Sequence, residues 1–260
     1  PPTIDVVLRG ASAAPPPPSR ITARSLRIEG LIFKIDYGSV ELVVRDSLAI
    51  DGCLVVDGRG MEHGRELVSL LGRGDYGSSK TRPVKIAIER SWFVRNFQGR
   101  HPGPMMVFGS VETAPTYFES IDIADTAFLG DAFTTELDFH FAKQVRIARS
   151  LFYKTWPDGV LFATTSSGEV VLEDSVIFVE DAAHIARHGD ESPPIRLASS
   201  SRVFAKEGRP PASLVAAPEQ FGDRAAIAAG EDVVAEAVKM PASVIPGPEL
   251  KKKLDAALRR

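Results

Sequence analysis

Four charged residues recur at nearly one spacing: Asp122, Arg146, Glu173 and Arg196 stand 24, 27 and 23 residues apart. A carboxylate among them could hold calcium through its hard oxygen atoms, and an arginine could take the α-proton of an acidic sugar. Opposite charges on adjacent strands are also the ordinary pairing of a solvated sheet face. Aromatic residues offer a second chemistry. Tyr117, Tyr153 and Trp156 lie in or beside turns, Trp156 within Thr155-Trp156-Pro157-Asp158-Gly159, where an exposed flat ring could stack on a sugar. Trp92 directly follows Ser91 and reads instead as cover for a neighbouring segment.

Other chemistry is poorly represented. His140, between Phe139 and Phe141, should face outward, and His184 and His188 are four apart, too far along a strand to share an ion. No metal site is expected. There is no phosphate loop, dinucleotide fingerprint, zinc-type Cys/His spacing, His-Glu-x-x-His or Gly-x-Ser-x-Gly. Cys53 is the single cysteine, so no internal disulfide forms, and it reads as a small buried thiol.

The elements that position these residues are set by a repeat. Two aliphatics two apart, a small residue three further on and a large apolar residue two after that recur seven times, centred on Ile28, Ile50, Ile88, Ile123, Ile147, Leu172 and Leu197. Two residues before the centres stand Leu26, Leu48, Ile86, Ile121, Val145, Val170 and Ile195. Three after come Leu31, Cys53, Ser91, Thr126, Ser150, Ser175 and Ser200, mostly hydroxylic; five after come Phe33, Val55, Phe93, Phe128, Phe152, Ile177 and, breaking the pattern, Arg202. The separations are 22, 38, 35, 24, 25 and 25 residues, a base period of about 24 with two enlarged copies. Period-2 alternation within a fixed long period predicts short strands stacked in register. A second strand should precede each copy, at Val40–Val44, Leu67–Leu71, Met105–Phe108, Leu137–Phe141, Val160–Ala163 and His184–Ala186, with Ile4-Val6-Leu8 serving the first. The residues flanking each centre then face outward, as Arg27, Ala49, Ala87, Asp122, Arg146, Val171, Arg196 on one side and Glu29, Asp51, Glu89, Ala124, Ala148, Glu173, Ala198 on the other.

Segments such as Val145-Arg-Ile-Ala-Arg-Ser-Leu-Phe-Tyr153 and Val170-Val-Leu-Glu-Asp-Ser-Val-Ile-Phe178 resemble the coils of right-handed parallel β-helix proteins of the pectate-lyase-like superfamily. The resemblance covers residues 1–216 and implies an all-β solenoid of about seven coils, followed by a short helical cap or connector at 217–260. It implies no single activity, because that fold hosts lyases, hydrolases, esterases and non-catalytic repeats. Many members stack an asparagine ladder at a turn; here Asn96 is the sole asparagine, so hydroxyl groups should stack and bond to each other instead. The aspartate pairs and Gly-His-Gly stretch of the β-helix galacturonases are missing. The resulting expectation is a non-catalytic scaffold or recognition module that binds a glycan or protein partner, with a polysaccharide lyase using Asp122 and Arg146 as the alternative. Glu173, Arg196, Tyr117, Tyr153 and Trp156 would then line the binding face. No cofactor is expected, apart from calcium under the lyase alternative.

Composition sets the outer bounds. The 260 residues are 44% hydrophobic and 25% charged, those of a globular chain, and the net charge of −3 gives no general attraction to nucleic acid or anionic lipid. No run approaches the ~18 apolar residues of a membrane span, so no membrane insertion is expected. The chain opens on Pro1-Pro2-Thr3 with no methionine or leader pattern, which suits part of a larger protein. Compartment is not encoded; an extracytoplasmic or surface setting is the expectation. Pro15–Pro18 reads as a stiff surface turn, and Arg73-Gly74-Asp75 as a chance tripeptide in an inserted loop. At the end, Glu231–Met240 and Pro248–Arg260 read as short helices, the second with Leu250, Leu254 and Leu258 in one stripe and Lys251–Lys253, Arg259 and Arg260 as a solvated face.

Overall fold

The computed structural model describes residues 19–35, 38–57, 66–72, 84–95, 103–109, 118–129, 135–154, 159–189 and 191–223. Ile4-Val6-Leu8, Pro15–Pro18, Arg73-Gly74-Asp75, Tyr117, Trp156 and the residues after 223 lie outside them.

The described chain is nearly all β, and its strands pair only in parallel. A 13-stranded sheet wraps nearly closed, and residues of an 8-stranded sheet, Phe93, Phe128 and Phe152 among them, share its core. Most repeats give two successive strands to the 13-stranded sheet and then one to the 8-stranded sheet, and a strand pairs with its counterpart one repeat away and not with its chain neighbour. The repeat centres form one unbroken column: Ile28 faces Ile50, Ile50 faces Ile88, and so on through Ile123, Ile147, Leu172 and Leu197. Side chains of period 2 send this whole column to one face. There it is buried, from Ile28 at 8% exposure to Ile147 at 0%. In the 8-stranded sheet, the large apolar column runs Phe33, Val55, Phe93, Phe128, Phe152, Ile177. Phe93 and Phe128 stack with ring centroids 5.0 Å apart, and Phe128 and Phe152 at 5.3 Å.

Three expectations are corrected in detail. The slot beside Val40–Val44 is filled by Ser19–Ala23, the first half of the long strand Ser19–Glu29, and not by Ile4-Val6-Leu8. In the last copy, Arg202 pairs with Val176 and Val203 with Ile177, so the copy carries one extra residue and the apolar column continues through Val203. Ser201, 0% exposed, therefore takes the hydroxyl position that the spacing assigns to Ser200, which is exposed. His184 belongs to a 3-10 turn, Ala182–His184, capped by the Asp181 carboxylate, and the strand beside it is Ala186–His188. Parallel pairing also runs past residue 216, because Phe221–Asp223 pairs with the strand Arg202–Glu207.

The corner between the two sheets explains the hydroxyl column. One residue before each small residue, the backbone turns left-handed at Gly30, Gly52, Arg90, Asp125, Arg149 and Asp174, with φ between 48° and 65°. Glycine takes that conformation freely in the first two repeats; the other four residues carry the cost of a Cβ there. The following hydroxyl then accepts from the neighbouring repeat's backbone and donates to its own: Ser175 Oγ accepts from the Ser150 N–H at 3.1 Å and donates to the Glu173 carbonyl at 2.8 Å. Ser150 and Ser91 do likewise toward Thr126 and Cys53, while Ser201 Oγ accepts from the Ser175 N–H and donates to the Leu172 carbonyl of the neighbouring repeat. The hydroxyls thus bond backbone and not each other. Cys53 fits the column, its buried Sγ 3.4 Å from the Asp51 carbonyl.

Candidate functional site

The face bearing Asp122 and Arg146 is the outward side of the strands Phe118–Ala124, Gln144–Ala148, Glu169–Glu173 and Ile195–Leu197. Its register is that of the repeat: Asp122 lies opposite Arg146, Arg146 opposite Val171, and Val171 opposite Arg196. Proximity in the ladder does not decide which charges meet. Arg146 turns away from Asp122 and places both Nη2 and Nε on one Glu173 oxygen, at 2.6 and 3.0 Å. Arg196 reaches Glu169, at 2.9 Å, and not Glu173. Asp122 is exposed and stands outside the ion pairs formed among the described residues. The face therefore joins Arg146 to Glu173, brings in Glu169, and leaves Asp122 facing solvent.

A second line of charge runs along the left-handed corner. Arg149 holds both Asp125 carboxylate oxygens, at 2.7 and 2.8 Å, in a bidentate pair whose aspartate side chain is 12% exposed. The hydrogen bond to Asp125 raises the guanidinium further above its ordinary value, so the charge is fixed. Asp51 sits between Arg90 and Arg27, in a row where Glu29, Asp51 and Glu89 lie directly opposite one another. Three carboxylates in register repel, and the two arginines offset that repulsion.

On the other arm of the 13-stranded sheet, His140 does point outward but is covered, 7% exposed, with Nε2 3.2 Å from Asp138 Oδ1. Tyr153 stands half-buried on the outer face of the 8-stranded sheet, its ring edge-on to Phe178 at a centroid distance of 6.4 Å. Among the described residues no group of three His, Cys, Asp or Glu side chains is placed to hold a metal ion, and no helix is long and apolar enough to cross a membrane.

Column logic missed Glu169 because it sits two positions from the row of its partner, a diagonal that a long arginine spans. It also missed a second hydroxyl ladder at the opposite corner, where Ser167 Oγ accepts from the Ala142 N–H at 3.3 Å and Ser192 Oγ from the Ser167 N–H at 3.0 Å. The signal was present, since positions 142, 167 and 192 are 25 apart. No family model, curated protein or solved structure matches the chain.

Proposed function

We propose that the chain is a right-handed parallel β-helix serving as a non-catalytic recognition module, which binds a glycan or a protein partner along its side as part of a larger protein. The parallel ladders with partners one repeat apart, and the rule that parallel crossovers are right-handed, support the architecture. One observation carries the functional reading: Arg146, the group that would have to take a proton, is instead held by Glu173 at 2.6 Å on an open face. An arginine gripped by a carboxylate through two nitrogen atoms is part of an ion-paired surface, which suits recognition better than proton transfer.

A panel of immobilised acidic and neutral polysaccharides, read by direct binding, tests the module. Binding that weakens on Trp156→Ala supports it, and uniform lack of binding to glycans and to affinity-isolated protein partners overturns it. One observation favours the polysaccharide-lyase alternative: Asp122 lies opposite Arg146 with its carboxylate outside the described ion pairs, where calcium could bridge it to an acidic sugar. Ultraviolet absorbance of unsaturated sugar ends, with and without calcium, separates the two. Product that disappears in Arg146→Ala would establish the lyase.

A further inference from the structure

The phenylalanine column of the 8-stranded sheet is interrupted near its start. Phe33 lies opposite Val55 and Val55 opposite Phe93, after which Phe93, Phe128 and Phe152 stand on successive strands. Where rings follow one another directly, their centroids are 5.0 and 5.3 Å apart. Phe33 and Phe93 are two strand spacings apart, about 9.6 Å, and the level between them carries only the methyl groups of Val55. The facing wall is short at the same levels. Val40 and Val68 stand there, in a row that continues through Met106 and Leu137 to Phe162, so the bulk that closes the interior further along is missing from both sides. A pocket results, with Phe33, Phe93, Val55, Val40, Val68 and Ile28 in its wall, and every described side chain that lines it is a hydrocarbon. Protein interiors are otherwise close-packed, so the gap stands out. Ile28, at 8%, is the most exposed centre of its column and Phe33 is half-buried, so the pocket is entered from the first repeat.

We propose that this pocket binds one flat apolar ring, an aromatic hydrocarbon or the aromatic end group of a larger molecule, between Phe33 and Phe93. The spacing sets the shape. A ring midway lies about 4.8 Å from each phenylalanine, close to the separation the chain's own rings keep and within the range that stacked aromatic pairs prefer. The lining sets the chemistry. A hydroxyl, amide or charge placed there would give up its hydrogen bonds to water and find none in return, whereas a cavity lined by hydrocarbon stays dry and accepts guests such as benzene. Polar substituents of a larger ligand must therefore trail past Ile28 toward solvent.

Fluorobenzene, titrated into the full chain to its solubility limit and followed by fluorine magnetic resonance, tests this. Saturable binding with an upfield ring-current shift supports the proposal, and a lack of saturation overturns it. Val55→Phe completes the column and should weaken binding at least about tenfold while the strand circular dichroism persists. Binding unchanged in that variant places the ligand elsewhere and overturns the proposal. Cyclohexane, equally apolar but thicker, should compete at least about threefold less well than benzene; equal or better competition refutes the slot between two rings. Should Val55→Phe not fold, Val55→Leu extends the same wall by one carbon and should weaken fluorobenzene about threefold, and unchanged binding there is equally decisive against the site.

Discussion

Replacing Ser175 by alanine tests the corner mechanism at its most enclosed point. The serine is 0% exposed, its Oγ accepts the Ser150 N–H at 3.1 Å, and it donates to the Glu173 carbonyl at 2.8 Å. Alanine leaves the buried Ser150 N–H without a partner, costing about 1–3 kcal/mol, and removes the donated bond, worth about 1 kcal/mol. The fall in stability should be about 2–4 kcal/mol, and at ~2–4 °C per kcal/mol the Tm should drop by about 4–16 °C. Urea unfolding followed by far-ultraviolet circular dichroism measures the first, calorimetry the second. Ser175→Cys should lose roughly half as much, because Cys53 already occupies this column with its Sγ 3.4 Å from a carbonyl. Ser200→Ala is the control: its Oγ also accepts a backbone N–H, that of Asp174 at 3.0 Å, but in solvent, where water replaces it at a cost within about 0.5 kcal/mol. If Ser175→Ala lies within about 0.5 kcal/mol of the parent protein, or is no worse than Ser200→Ala, the hydroxyl is not what holds the repeats together.

Phe128, 1% exposed and stacked on rings to both sides, should cost about 3–5 kcal/mol on substitution by alanine, measured by the same urea titration; a loss below about 1 kcal/mol would mean that the ring column is loosely packed. Burial pushes the Cys53 thiol up, so the folded state holds its proton more tightly than the unfolded chain does. That contribution is complete below the ordinary thiol value of about 8.5 and is lost as pH rises through and beyond it. Stability should decline across that window in the parent protein and less steeply in Cys53→Ser, and maleimide labelling at neutral pH should require urea. Rapid labelling of the native protein would refute the buried placement.

The legible and illegible parts of this fold divide along a physical line. The aliphatic and phenylalanine columns could be read because a buried stack admits one class of residue at each level, and the spacing of Ile28, Ile50, Ile88 and their successors is the register itself. The slip at Arg202 could not, because one inserted residue in a turn leaves the apolar strand after it intact and merely renumbers it. Ion pairing on the open face was illegible for another reason. Solvent leaves long side chains free to choose a diagonal partner, and Arg146 finds Glu173 although Asp122 lies opposite. The outer side of the 8-stranded sheet belongs with the legible features. Leu54-Val55-Val56, Trp92-Phe93-Val94, Ala127-Phe128-Leu129 and Leu151-Phe152-Tyr153 are unbroken apolar triplets at one column of the repeat. A strand apolar on both faces is a strand covered on both faces. The aliphatic repeat accounts for only the inner cover, and the outward members of the triplets, with Leu54 and Trp92 among them, gather into the second apolar cluster.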